Sequence, residues 1–162
     1  MLEQLDSVQW SNFPQPHWNQ PGDVPRALRA VASASDEATA TEARHRLLFA
    51  IGNNHAGTYW PVVLPVVPFV GEIVEGGALL PRLCCLQVLI DLVGSFVPSP
   101  DHEIDEHGPL APAVQYAVSV VWKRIEGRAH FRAVDPREKG LLGDLGALMQ
   151  ADGATAPGQR ST

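Results

Sequence analysis

Residues 59–71 read YWPVVLPVVPFVG, and the way this run folds decides the class of the whole chain. Its valines favour a strand, because β-branched side chains suit a pleated and buried surface. Its length and its prolines favour a helix. Pro61 suits a first helical turn, while Pro65 and Pro68 would kink a helix but would remove ladder donors from a central strand. The reading is a kinked, buried helix from Tyr59 to Glu75, closed by Gly76 and Gly77. Such a helix spans only about 20 Å over residues 59–71, against a hydrocarbon core of about 30 Å, so it reads as a core element and not a membrane span.

Helical signals continue on both sides. Upstream, residues 11–23 (SNFPQPHWNQPGD) are rich in Pro, Asn and Gln and read as an extended lead-in, with Trp10, Phe13 and Trp18 pinning it to the domain. Asp23 is the expected cap of a short helix with Pro25 in its first turn and Val24, Leu28 and Val31 on one face. A second helix is expected to start near Ser35 or Asp36, to carry Leu47, Leu48 and Ile51 inward, and to stop at Gly52-Asn53-Asn54. Downstream, Pro81 opens a helix whose stripe is Leu83, Leu86, Ile90, Val93 and Val97. Residues 98–108 (PSPDHEIDEHG) read as a loop. Pro109 or Pro112 opens a fifth helix through Val114, Ala117, Val121 and Ile125, and Asp135-Pro136 caps a sixth with Leu141, Leu145, Leu148 and Met149.

The second and fourth helices end alike, LLFAIG at Gly52 and VLIDLVG at Gly94, an offset of about forty residues in the range of two-helix repeats. One such repeat cannot bury its own apolar face, so about three helix pairs are needed. From Val8 to about Phe96 the chain resembles a bacterial group of small HEAT-repeat proteins. The resemblance is carried by VQW, DVPRALRAVAS, EARHRLLFAIGNN, HAGTYWPVVLPVVPFVGEIVEGG and LQVLIDLVGSF. Its most specific part is His55, Gly57, Thr58, Tyr59, Val67, Pro68 and Phe69; Trp60, Pro61 and Pro65 depart from the pattern. The resemblance implies an α-solenoid without enzymatic residues, of a kind encoded beside polymorphic toxins as immunity proteins.

Charge bears on the partner. The chain has 162 residues, room for one domain, and 18 acidic against 12 basic residues give a formal charge of −6. A nucleic-acid binder needs a Lys/Arg surplus on some face, so this balance points away from nucleic acid and suits a basic protein partner. The sole cysteines, Cys84 and Cys85, are adjacent, diverge by about 100° on a helix, and read as core thiols of a reducing compartment. MLEQLDSVQW has acids where a secretory signal has basic residues. The expected location is the cytoplasm.

Two stretches qualify as binding surfaces. The first is Asp101, Glu103, Asp105 and Glu106, interleaved with His102 and His107. It reads as a solvated acidic loop, as a docking surface for a basic partner, or as a metal site, although it lacks HExxH and the glycine and last glutamate of an EF-hand. The second is GNNHAGTYW, where Asn54, His55, Tyr59 and Trp60 face a partner unless the segment simply terminates one helix and packs against the next. Trp122 is a further candidate anchor, and His45 reads as a surface residue. Ser95 lies in GSF and not GxSxG, and GEIVEGG lacks the GK[ST] of a phosphate-binding loop.

The expectation is an all-α chain, a HEAT/armadillo-like α-solenoid of about three helix pairs. An extended arm (residues 1–23) packs on a helical domain (24–150), and a flexible tail (151–162) follows. The expected role is a non-catalytic immunity protein that holds a cognate, basic toxin, without cofactor or metal. The rival readings are a HEAT-type adaptor for other cellular proteins and a metal-dependent enzyme built on the His/Asp-rich loop.

Overall fold

A computed structural model describes residues 2–105 and 108–153, apart from the side chains of residues 105, 129–132 and 152–153. Among these residues lie six α-helices: α1 (Asp23–Ser33), α2 (Glu37–Ile51), α3 (Val63–Gly76), α4 (Leu79–Gly94), α5 (Leu110–Arg132) and α6 (Pro136–Gly153). Five two-residue strands lie between α2 and α3 and between α4 and α5: β1 (Gly52–Asn53), β2 (Thr58–Tyr59), β3 (Val97–Pro98), β4 (Ile104–Asp105) and β5 (Gly108–Pro109). The chain is mainly helical, and its strands fall in stretches whose sequence suggests loop or helix.

Local chemistry sets the helix ends. Asp36 accepts the Thr39 amide at 2.9 Å while the Thr39 hydroxyl accepts the Asp36 amide, a reciprocal cap that starts α2. Asp135 accepts the Arg137 amide at 2.8 Å, with Pro136 as the first residue of α6. Asp23 is not the cap of α1. Gly22 holds that position in the left-handed region, φ +85°, and the Asp23 carboxylate accepts the Gln20 amide at 2.6 Å.

The run that decides the class is a helix, but a shorter one than the sequence suggested. α3 begins at Val63, because Thr58 and Tyr59 are drawn into a sheet and Trp60–Val62 turn the chain. Pro65 then falls in the first turn, where its missing N–H has no intrahelical partner to lose, and only Pro68 sits in the interior. Val63, Val66, Val67, Phe69, Val70, Ile73 and Val74 are buried, so this helix is the centre of the core.

α1 packs on α2, α3 on α4, and α5 on α6. α3 also contacts α1 and α5, and α4 contacts α2 and α6, giving rows α1–α3–α5 and α2–α4–α6 that α4 further joins through its contacts with α1 and α5. Ion pairs tie the rows: Arg44 to Asp91 (α2 to α4), the Arg82 guanidinium to both oxygens of Glu138 at 2.6 and 3.0 Å (α4 to α6), and Arg124 and Arg128 to Glu75 (α5 to α3). The inward stripe of α4 is Leu83, Cys84, Cys85, Leu86, Val88, Leu89 and Leu92. Ile90 and Val93 are only half-buried, and Val97 lies beyond the helix and is exposed. Both thiols are buried and free, and the Cys84 thiol donates to the Ala40 carbonyl at 3.3 Å.

The N-terminal arm holds two short 3₁₀ turns, Leu5–Ser7 and Trp10–Asn12, and packs along the helices. Leu5 is fully buried, Trp10 meets Phe69 with ring centroids 6.1 Å apart, and the Val62 amide donates to the Pro14 carbonyl at 3.0 Å. Trp18 Nε1 and Asn19 Nδ2 donate to the carbonyls of Phe49 and Ala50, at 3.1 and 2.7 Å, supplying acceptors at the end of α2 with side-chain donors. α6 continues through Ala151 to Gly153, and the tail expected beyond it, residues 154–162, lies outside the described residues.

Candidate protein-binding surface

The two stretches singled out in the sequence meet at one end of the helices. After α2 the chain makes a hairpin: β1 pairs antiparallel with β2, Gly52 opposite Tyr59 and Asn53 opposite Thr58. The Asn53 side-chain oxygen accepts the amides of His55 and Ala56 at 3.0 and 3.1 Å, and Gly57, φ +63°, completes the turn. Gly52 is required by space: a Cβ there would lie 1.9 Å from the Thr58 carbonyl oxygen. β2 then pairs in parallel with β3, the segment that follows α4. Val97 donates to the Gly57 carbonyl at 2.9 Å and Ser99 to the Tyr59 carbonyl at 2.8 Å. The hairpin after one helix is thereby bound to the segment leaving the next.

From β3 the chain enters the acidic loop. Residues Pro100–His102 form a 3₁₀ turn, and the imidazole of His102 packs on the Trp60 indole with centroids 4.3 Å apart and planes at 50°. β4 and β5 pair antiparallel, Ile104 opposite Pro109, and the Leu110 amide donates to the Glu103 carbonyl at 2.9 Å, so the loop is fastened to the start of α5. Asp101 and Glu103 are exposed; Glu106, His107 and the side chain of Asp105 lie outside the described residues. His55 is exposed at the hairpin turn, Asn54 and Trp60 are half-buried, and Tyr59 is buried at 2% exposure. Tyr59 is therefore a core residue and not an anchor. Burial pushes its phenol up to about 12. Trp122 is likewise no part of this surface: it is half-buried on α5 and faces Gly146 of α6.

Two exposed apolar side chains complete the surface, Val97 and Ile104, 57% and 74% accessible. The sequence reading missed both. Val97 continued the three-four spacing of α4, and only the end of that helix at Gly94 turns it outward; Ile104 stood as a lone apolar residue among acids. The electrostatics are one-sided. Residues 83–122 contain no Lys or Arg. Eight arginines (26, 29, 44, 46, 82, 124, 128 and 137) are held in ion pairs elsewhere, whereas Asp101 and Glu103 form none among the described residues. Chemically, this end offers apolar contacts, an aromatic–imidazole pair and unneutralised carboxylates.

Among the described residues, no group of three or more His, Cys, Asp or Glu side chains is arranged to hold a metal ion, and no helix is long and apolar enough to cross a membrane. No protein-family model matches the chain, and no curated protein or solved structure is significantly similar to it.

Proposed function

We propose that this chain is an α-solenoid of three helix pairs in the HEAT manner, and that it works as a cytoplasmic immunity protein that binds and neutralises a basic toxin without catalysis. The solenoid reading is supported by the packing order, in which each helix pair stacks on the next through two parallel rows, α1–α3–α5 and α2–α4–α6. The binding reading rests on one observation. The β2–β3 pairing joins hairpin and acidic loop into a surface where Val97 and Ile104 are exposed beside Asp101, Glu103 and the Trp60–His102 pair. Apolar centres rimmed by like charge are how protein interfaces combine affinity with partner choice. Neutralisation then follows from occlusion, because a rigid helical stack covers a partner's working face without needing chemistry of its own.

The test is co-expression with the product of the adjacent reading frame, scoring survival and co-purification. Rescue together with a stable complex is the expected result. Absence of both would discard the immunity reading, and rescue without a complex would replace it with an enzymatic one.

A further inference from the structure

α5 turns Leu110, Val114, Val118, Val121 and Ile125 toward the core, all essentially buried. At about 100° per residue the opposite face carries Pro112, Ala113, Tyr116, Ser119 and Val120. That face is open: Tyr116 is 71% exposed and Val120 40%. It is also uncharged as far as Lys123, since no Asp, Glu, Lys or Arg occurs from Pro109 to Trp122. A solvated helix face ordinarily carries charges, and the outer face of a terminal repeat ordinarily is polar. The N-terminal arm, by contrast, lays Leu5, Trp10 and Phe13 against the core and reaches both α1 and α3.

We propose that this face joins a second copy of the chain, α5 against α5 about a two-fold axis. Charge selects that occupant. The N-terminal end of α5 is flanked by Asp101 and Glu103, while its C-terminal half carries Lys123, Arg124 and Arg128 against Glu75 and Glu126 and is net positive. A two-fold axis across the helix runs the two copies antiparallel, so each acidic end meets the other's basic end. A parallel arrangement would set like charge on like. The exposed side chains agree. With the axis between Tyr116 and Val120, which lie one turn apart on the open face, Tyr116 of each copy faces Val120 of the other. Lys123 then lies beside the Leu110 end, where Glu103 is fastened by the 2.9 Å bond from the Leu110 amide. A 23-residue helix is about 34 Å long, and a single face of it covers less than the roughly 800 Å² per partner of a standard interface. The dimer is consequently weak and reversible.

Sedimentation of the full chain from about 1 μM to about 0.5 mM at low salt tests this, the upper limit chosen for an interface below standard size. A concentration-dependent dimer is expected. Tyr116→Glu and Val120→Glu lie on an exposed face, should keep the native helical spectrum, and should each weaken dimerisation by at least ~10-fold. Glu103→Lys and Lys123→Glu should each weaken it, and their combination in one chain should restore it. A monomer throughout the range, a dimer indifferent to Tyr116→Glu, or a failure of the paired reversal to restore association would overturn the proposal. A monomer whose complex with another protein is lost on Tyr116→Glu would overturn it too, and would assign the face to that protein.

Discussion

The indole of Trp60 and the imidazole of His102 pack against each other at a tilt, 4.3 Å between centroids, although about forty residues of chain separate them. This contact ties the acidic loop to the hairpin at the point where the backbone pairing of β2 with β3 has ended. Aromatic contacts of this kind contribute on the order of 1 kcal/mol beyond the area they bury. Trp60→Ala should therefore loosen the loop without unfolding the helices. Amide exchange at His102 and Leu110, which donate to Ser99 and Glu103 at 2.8 and 2.9 Å, should quicken, while exchange within α3 and α4 stays slow. Uniform protection in the variant would show that the backbone bonds alone hold the loop.

Gly52 admits no side chain. Its Cβ position lies 1.9 Å from the Thr58 carbonyl oxygen and 2.7 Å from the Tyr59 Cα, both backbone atoms that cannot swing aside. Gly52→Ala should force β1 from β2 and cost at least about 1–3 kcal/mol. Gly76→Ala serves as the control, because nothing lies within 4 Å of the corresponding Cβ. Similar urea midpoints for the two variants would contradict the tight hairpin.

What could be read from the sequence, and what could not, divides by range. The start of α2 near Ser35 or Asp36 and the cap at Asp135 were legible because their chemistry is complete within three residues. The helical nature of residues 63–76 was legible because prolines argue against a central strand wherever the partner lies. The pairing of Thr58-Tyr59 with Val97-Pro98 was not: two-residue strands carry no period, and their bonds depend on the helices between them. The same gap explains the site. Asp101 and Glu103 announce themselves by composition, but the outward turn of Val97, the inward turn of Tyr59 and the meeting of Trp60 with His102 all follow from that unreadable pairing.

Helix phase in α4 is open to direct measurement. Leu86 is fully buried, whereas Ile90, which shares the three-four spacing, is only half-buried. Leu86→Ala should cost about 2–5 kcal/mol, and Ile90→Ala distinctly less, because part of the side chain it removes was already in water. Equal losses in denaturant unfolding would place both on the buried stripe and refute this phase.

Tyr59 makes stability depend on alkaline pH. Its phenol is raised from an ordinary value of 10 to about 12 by burial. Between those values the unfolded chain releases a proton that the folded chain retains, so unfolding is favoured as pH rises. Stability should decline through this window, and Tyr59→Phe should flatten the decline. With two tyrosines in the chain, Tyr116→Phe isolates the Tyr59 phenolate absorbance. A Tyr59 titration at the ordinary position would mean that the ring is not buried.

The proposed docking surface predicts a kinetic signature. Asp101 and Glu103 are exposed, and residues 83–122 contain no Lys or Arg to cancel them, so their field reaches an approaching basic surface within a Debye length of about 8 Å at physiological salt. Exposed rim charges act mainly on encounter, while desolvated contacts govern escape. Converting Asp101 to Asn and Glu103 to Gln should slow association with the partner, by roughly tenfold at low ionic strength, and the deficit should shrink as salt is added. Ile104→Ser and Val97→Ser should do the reverse, leaving association nearly unchanged and speeding dissociation, because they remove apolar area from the centre of the contact. Stopped-flow traces at two salt concentrations separate the two effects. If the amide variant matches the wild type at both, the partner docks elsewhere on the helical stack; if the serine variants alone release faster, the apolar centre is right and the steering is not.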